Sequence, residues 1–184
     1  MSWLRHGNGG VESSVWIDER LLSEMEADAS EHSPRETGGM LLGYWSAQGQ
    51  AVITKTIPGG PGAVRMRTRF EPDGLWQQEI LDEIYLRSGR ITTYLGDWHS
   101  HPVGVLRPSG RDKSTAKEVA KSQSARAPRP LTLIGVEVGG GWKWGVFRYR
   151  GRRGFERLAL ERFGGAEAAE RVKPTAVRTH PWAI

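Results

Sequence analysis

Two histidines, a serine and an aspartate stand at fixed intervals in the stretch His99-Ser-His101-Pro-Val-Gly-Val-Leu-Arg-Pro-Ser109-Gly-Arg-Asp112, directly after an apolar run. Residues i and i+2 of a strand share a face, so His99 and His101 can aim both imidazoles the same way. Asp112 falls in the first turn of the helix predicted to follow, and a short loop can fold its carboxylate back toward them. Three protein ligands plus an open position are the pattern of a catalytic zinc, whereas a structural zinc is closed by four. Imidazole and carboxylate suit zinc best, with iron as the alternative. Such an ion lowers the pKa of a bound water toward ~7 and polarises a carbonyl oxygen. Amide hydrolysis also needs a carboxylate outside the metal shell to carry the proton to the departing amine. Glu36, beside Gly38 and Gly39 and just ahead of an apolar run, is the candidate, and Ser109 can donate to the oxyanion.

Each part has a plainer explanation. Glu36 alone reads as a surface charge at a turn, Ser109 with Asp112 as a capping box, and a single His-x-His as weak evidence for metal. Their combination favours the site, because a helix start that aims Asp112 serves the cap and the ligand together.

The 184 residues include no cysteine, which excludes disulfides, thiolate metal sites, a cysteine nucleophile and the zinc-deaminase signature. No apolar run approaches the ~20 residues that span a bilayer. The opening Met-Ser-Trp-Leu-Arg-His carries no signal-peptide pattern, so a cytoplasmic protein is expected. The net charge of +5 comes largely from clusters at Arg107–Arg129 and Arg148–Arg157. Such patches attract nucleic acid or an acidic protein, or serve solubility. Without a nucleic-acid motif, nucleic acid is not the expected partner.

Positioning elements follow from periodicity. Residues 1–13 read as a flexible N-terminus, 14–160 as one domain and 161–184 as a tail. A strand at 14–17 precedes a helix capped by Asp18, with Leu21, Leu22, Met25 and Ala29 on one face. The run 40–45 is apolar on both faces, as in a central strand, and 51–57 pairs with it as a hairpin. Residues 58–69 look irregular and basic, a lid or binding loop. Trp76, Ile80, Leu81, Ile84 and Tyr85 mark an amphipathic helix over 73–87 that stops at Ser88-Gly89. A strand at 91–98 feeds His99, a helix runs from Ser109 to about residue 125, strands 131–138 and 142–149 form a hairpin, and 155–160 adds a last strand. Trp98 is expected in the core or behind the site; His6, His32 and His180 look incidental. The sum is an α/β fold, a mixed β-sheet flanked by about three helices.

Glu36, then His99-Ser-His101-Pro102-x-Gly104, then Ser109 and Asp112 at H-x-H-x7-S-x2-D spacing resemble the JAMM motif of the JAB/MPN metalloprotease family. The glutamate context, Glu36-Thr-Gly-Gly-Met-Leu-Leu-Gly43, resembles that family's first conserved block. The resemblance covers roughly residues 14–160 and implies a cytidine-deaminase-like sandwich. It implies zinc on His99, His101 and Asp112, Glu36 as general acid/base, and Ser109 at the oxyanion. It further implies cleavage after the C-terminal glycine of a ubiquitin-like protein whose extended tail adds along a strand edge. The small size resembles bacterial members that accompany E1-like and E2-like enzymes in ubiquitin-like or antiphage systems. Residues 58–69 would border the substrate channel. A RadC-like protein linked to DNA repair, a peptidase acting on a sulfur-carrier protein, and a noncatalytic binding module are the alternatives.

Overall fold

The structure, a computed structural model, describes residues 14–164. A seven-stranded mixed sheet closes on itself in the order β1-β3-β2-β6-β7-β8-β9. Its strands are β1 (Ser14–Asp18), β3 (Ala51–Pro58), β2 (Gly38–Trp45), β6 (Thr93–His101), β7 (Leu131–Val138), β8 (Gly141–Tyr149) and β9 (Phe155–Phe163). A separate two-stranded ribbon pairs β4 (Val64–Met66) with β5 (Arg69–Glu71), and the helices are α1 (Glu19–His32), α2 (Gly74–Arg87) and α3 (Gly110–Lys121). The mixed sheet and three helices are as the sequence predicts. Closure is not foreseen by it: β1 lies parallel to β9, with Val15 opposite Leu160 and Asp18 opposite Phe163. β9 runs three residues past the expected domain end. The expected flexible start and most of the expected tail lie outside the described residues.

α1 forms where the periodicity places it. Asp18 accepts the Arg20 N–H at 3.0 Å as its cap, and Leu21, Leu22, Met25 and Ala29 are its buried residues. Three of these join Val15, Ile17, Leu41, Ile53, Leu95, Leu131, Leu133 and Val146 in the main core. Trp98 belongs there too, 2% exposed and edge-on to Trp144 at 6.0 Å. Alternation therefore turns His99 away from that core, toward the face covered by α2 and α3.

Two expectations change. The irregular basic loop contains the β4–β5 ribbon, whose strands alternate for only three residues each, too short a run to read as a strand. α2 forms at its predicted place with Asp73 as cap, yet its only buried residue is Gln77, whose side chain donates to the Pro58 carbonyl at 2.9 Å. Of the apolar stripe of α2, Leu81 and Tyr85 line a cleft, and Trp76, Ile80 and Ile84 are half-buried. The second basic cluster also has a structural member: Arg148, 5% exposed, is paired with Glu156 at 3.0 Å.

Gly96 sets how closely β6 and β7 approach. It has φ +153°, and a Cβ there would stand 2.0 Å from the Leu131 carbonyl oxygen. Gly96→Ala is expected to cost more than ~2 kcal/mol, read as a lower denaturant midpoint at unchanged slope. A midpoint equal to wild type would remove this constraint.

Candidate metal centre

β6 delivers His99 and His101 from one strand face, and α3 delivers Asp112 from its first turn. Their Nε2 atoms lie 3.0 Å apart. Asp112 Oδ1 is 3.3 Å from His99 Nε2, and Oδ2 is 4.0 Å from His101 Nε2. Donor atoms ~2.1 Å from one ion in a tetrahedron are about 3.4 Å apart, so one metal ion fits between these three. The other ring nitrogen of His101 donates to the Val105 carbonyl at 3.1 Å, which leaves the Nε2 lone pair aimed at the centre. Burial, then the neighbouring His99, lowers the His101 pKa and favours the neutral imidazole that metals bind.

Asp112 is held by its helix. Ser109 Oγ accepts the Asp112 N–H at 3.2 Å and the Asp112 carboxylate accepts the Ser109 N–H at 2.5 Å, a reciprocal capping box. Burial opposes ionisation of Asp112, but His99 and the hydrogen bonds from Ser109 hold its carboxyl well below the usual carboxylate range. It is an anion at neutral pH.

Glu36 enters from the segment between α1 and β2. Gly38 pairs with His99 across the β2–β6 ladder, which brings the residue two before it to the donors. Burial raises the Glu36 pKa, His99 and Arg111 lower it, and Asp112 raises it. A cleft of about 1770 Å³ has Glu36, His99 and Asp112 in its wall, together with Tyr94, Asp97 and Tyr85. Ser109 is exposed and is not among the lining residues. The five residues singled out by spacing thus cluster as three donors, one carboxylate in the same wall and one hydroxyl at the end of α3.

A sequence profile of the prokaryotic homologs of the JAB domain matches residues 18–145. The chain belongs to this prokaryotic JAB family. All five positions lie within the JAB match. The chain is 41% identical over 149 residues to a probable metalloprotease of Sinorhizobium fredii, covering 80% of this chain and 90% of that one. It is also 34% identical over 94 residues to a CD-NTase/cGAS isopeptidase of Vibrio cholerae, 51% of this chain and 58% of the other. A solved protein of Desulfitobacterium hafniense shares the fold, with TM-score 0.61 at 19% identity over 84% of this chain and 96% of that one. No helix among the described residues is long and apolar enough to cross a membrane.

Sequence reasoning overlooked two polar side chains of this JAB cleft. Asp97, two residues before His99 and on its face, accepts the Tyr94 hydroxyl at 2.8 Å, and burial, partly offset by that bond, pushes its pKa up to about 6. A carboxylate at i−2 from a ligand in an otherwise apolar strand was the available signal. Trp98, in contrast, packs in the core behind the strand.

Proposed function

We propose that the chain is a zinc-dependent peptidase that hydrolyses the peptide or isopeptide bond after the C-terminal glycine of a ubiquitin-like protein, acting through one catalytic domain at residues 14–160. The observation that carries this reading is the convergence of three nitrogen and oxygen donors, His99, His101 and Asp112, two of which share a cleft wall with Glu36. His99, His101 and Asp112 hold the metal, and zinc, when bound, acidifies water toward ~7 and polarises the scissile carbonyl. Glu36 takes the proton of the attacking water and delivers it to the leaving amine. A carboxylate whose burial raises its proton affinity suits a group that must bind a proton and release it within each turnover. A hydroxyl can accept and donate at once, so Ser109 caps α3 and offers its own proton to the oxyanion. The metalloprotease and isopeptidase relatives support amide hydrolysis; the ubiquitin-like substrate, E1-like and E2-like partners, antiphage setting and cytoplasmic location follow from the family resemblance of the motif.

The test is to measure bound metal and then offer candidate ubiquitin-like proteins fused through their C-terminal glycine to a reporter. Cleavage after the glycine that stops on chelation and returns with zinc is expected. A protein that takes up no metal, or cleavage that survives chelation, would falsify the reading.

The pH profile follows from the charges around Glu36. It must be ionised to accept a proton, so kcat/KM falls on the acid side as Glu36 is protonated; burial moves that limb up and a bound dication moves it down. Because Arg111 favours the ionised form, Arg111→Gln is expected to move that acid limb further up, more at low salt than at high. An acid limb that stays in place would count against Glu36 as the titrating group.

A further inference from the structure

Thr37, fully buried beside Glu36, makes more connections than its place in a short linker requires. Its main chain is clamped by Ser100, the residue between the two histidines. The Thr37 N–H donates to Ser100 Oγ at 3.0 Å, and the Ser100 N–H donates to the Thr37 carbonyl at 2.8 Å. Its hydroxyl donates to Asp28 Oδ2 of α1 at 2.8 Å and accepts from Arg65 Nε of the ribbon at 3.0 Å. The ribbon is tied to the preceding residue as well, since the Glu36 N–H donates to the Met66 carbonyl at 2.7 Å.

Three bodies therefore meet at one threonine: the strand that carries the histidines, helix α1, and a ribbon whose outer residues are exposed. Ser100 fixes the height of the Glu36 segment relative to β6. Arg65 and Met66 make the ribbon's seat part of the same network. Thr37 is 0% exposed, so its own hydroxyl and amide cannot turn to solvent when a partner is lost. Asp28 has a second partner in His32, at 3.3 Å, which steadies the α1 end.

We infer that Thr37 is a positioning residue that couples the seat of the β4–β5 ribbon to the placement of the Glu36 carboxylate. The inference rests on Glu36 acting as the proton carrier. Whatever displaces the ribbon, a substrate tail included, then reaches the proton shuttle through Arg65 and the Met66 carbonyl, without touching the metal donors.

Thr37→Val keeps the shape and removes both hydroxyl bonds; Arg65→Ala removes one of them from the ribbon side. Each is expected to lower kcat by about 10- to 100-fold, the scale of a small misplacement of a reacting group, with KM and bound zinc close to wild type. The double variant is expected to fall no further than the worse single, because both act through one network. Thr37→Ser restores the hydroxyl and should recover most of kcat. Hydrogen exchange on the metal-free protein supplies a second readout, with residues 64–71 exchanging faster in Thr37→Val than in wild type. If Thr37→Val lowers only the melting temperature and leaves kcat and ribbon exchange unchanged, the threonine is merely structural. Independent multiplication of the two single effects would equally overturn the coupling. Should wild type itself show no cleavage, the functional reading fails, and the exchange comparison still decides whether ribbon and linker are coupled.

Discussion

Glu36→Gln is expected to bind one metal ion per chain as wild type does, and to lose turnover by about 10²–10⁴-fold, the usual worth of a positioned acid–base group. The amide matches the carboxylate in shape and leaves His99, His101 and Asp112 untouched, so uptake of metal and loss of rate should separate cleanly. Stability should move the other way. The folded-state pKa of Glu36 is raised by burial, so its contribution to stability is present below the unfolded pKa and lost as pH rises through the folded one. At neutral pH the ionised carboxylate is therefore unfavourable to folding, and the neutral amide should melt at the same temperature or higher. Turnover within tenfold of wild type would remove Glu36 from the chemistry.

Asp112→Ala is expected to abolish activity for a different reason, with a different signature. It takes away one of three donors and also the carboxylate that accepts the Ser109 N–H. Bound metal should drop below one per chain, activity should fall to background even with added zinc at micromolar levels, and the loss of half a capping box should lower stability by about 1 kcal/mol. Ser109→Ala isolates the remainder. It keeps the three donors, loses the hydroxyl half of the box, and is expected to retain metal while kcat falls by about 10²–10³-fold. Equal metal content in Asp112→Ala and wild type would show that the aspartate serves the helix alone.

Local order was legible in the sequence; of the contacts between distant segments, the meeting of Glu36 with His99 was legible through the family resemblance of the motif, and the others were not. The four buried residues of α1 and the β7–β8 hairpin follow from periods of 3.6 and 2 within one segment. The spacing of His99, His101, Ser109 and Asp112 was legible for the same reason, since one strand end and one helix start suffice to bring them together. The apolar stripe of α2 was read correctly as a stripe, but a period cannot say what covers it, and here it borders an open cleft. The β4–β5 ribbon escaped because Val64-Arg-Met66 and Arg69-Phe-Glu71 alternate for only three residues each, below the length at which a period of 2 stands out. The pairing of β1 with β9 joins residues about 145 positions apart, and the clamp of Ser100 on Thr37 spans 63. No local pattern encodes either.

The closure of the main sheet has a consequence for how an extended peptide can bind. An open sheet ends in strands with one row of unpaired amides and carbonyls, and a peptide joins it by extending that row. In the main sheet every strand already has a neighbour on each side. Pairing is incomplete along some of those strands, since β1 covers only Ala51–Ile53 of β3 and β9 covers only Val146–Tyr149 of β8; the little ribbon, Val64–Met66 and Arg69–Glu71, also has outer rows, and its Arg69, Phe70 and Glu71 stand in the wall of the cleft. A tail that adds as a strand beside the cleft can therefore use the ribbon, the smallest sheet of the molecule, as its rail.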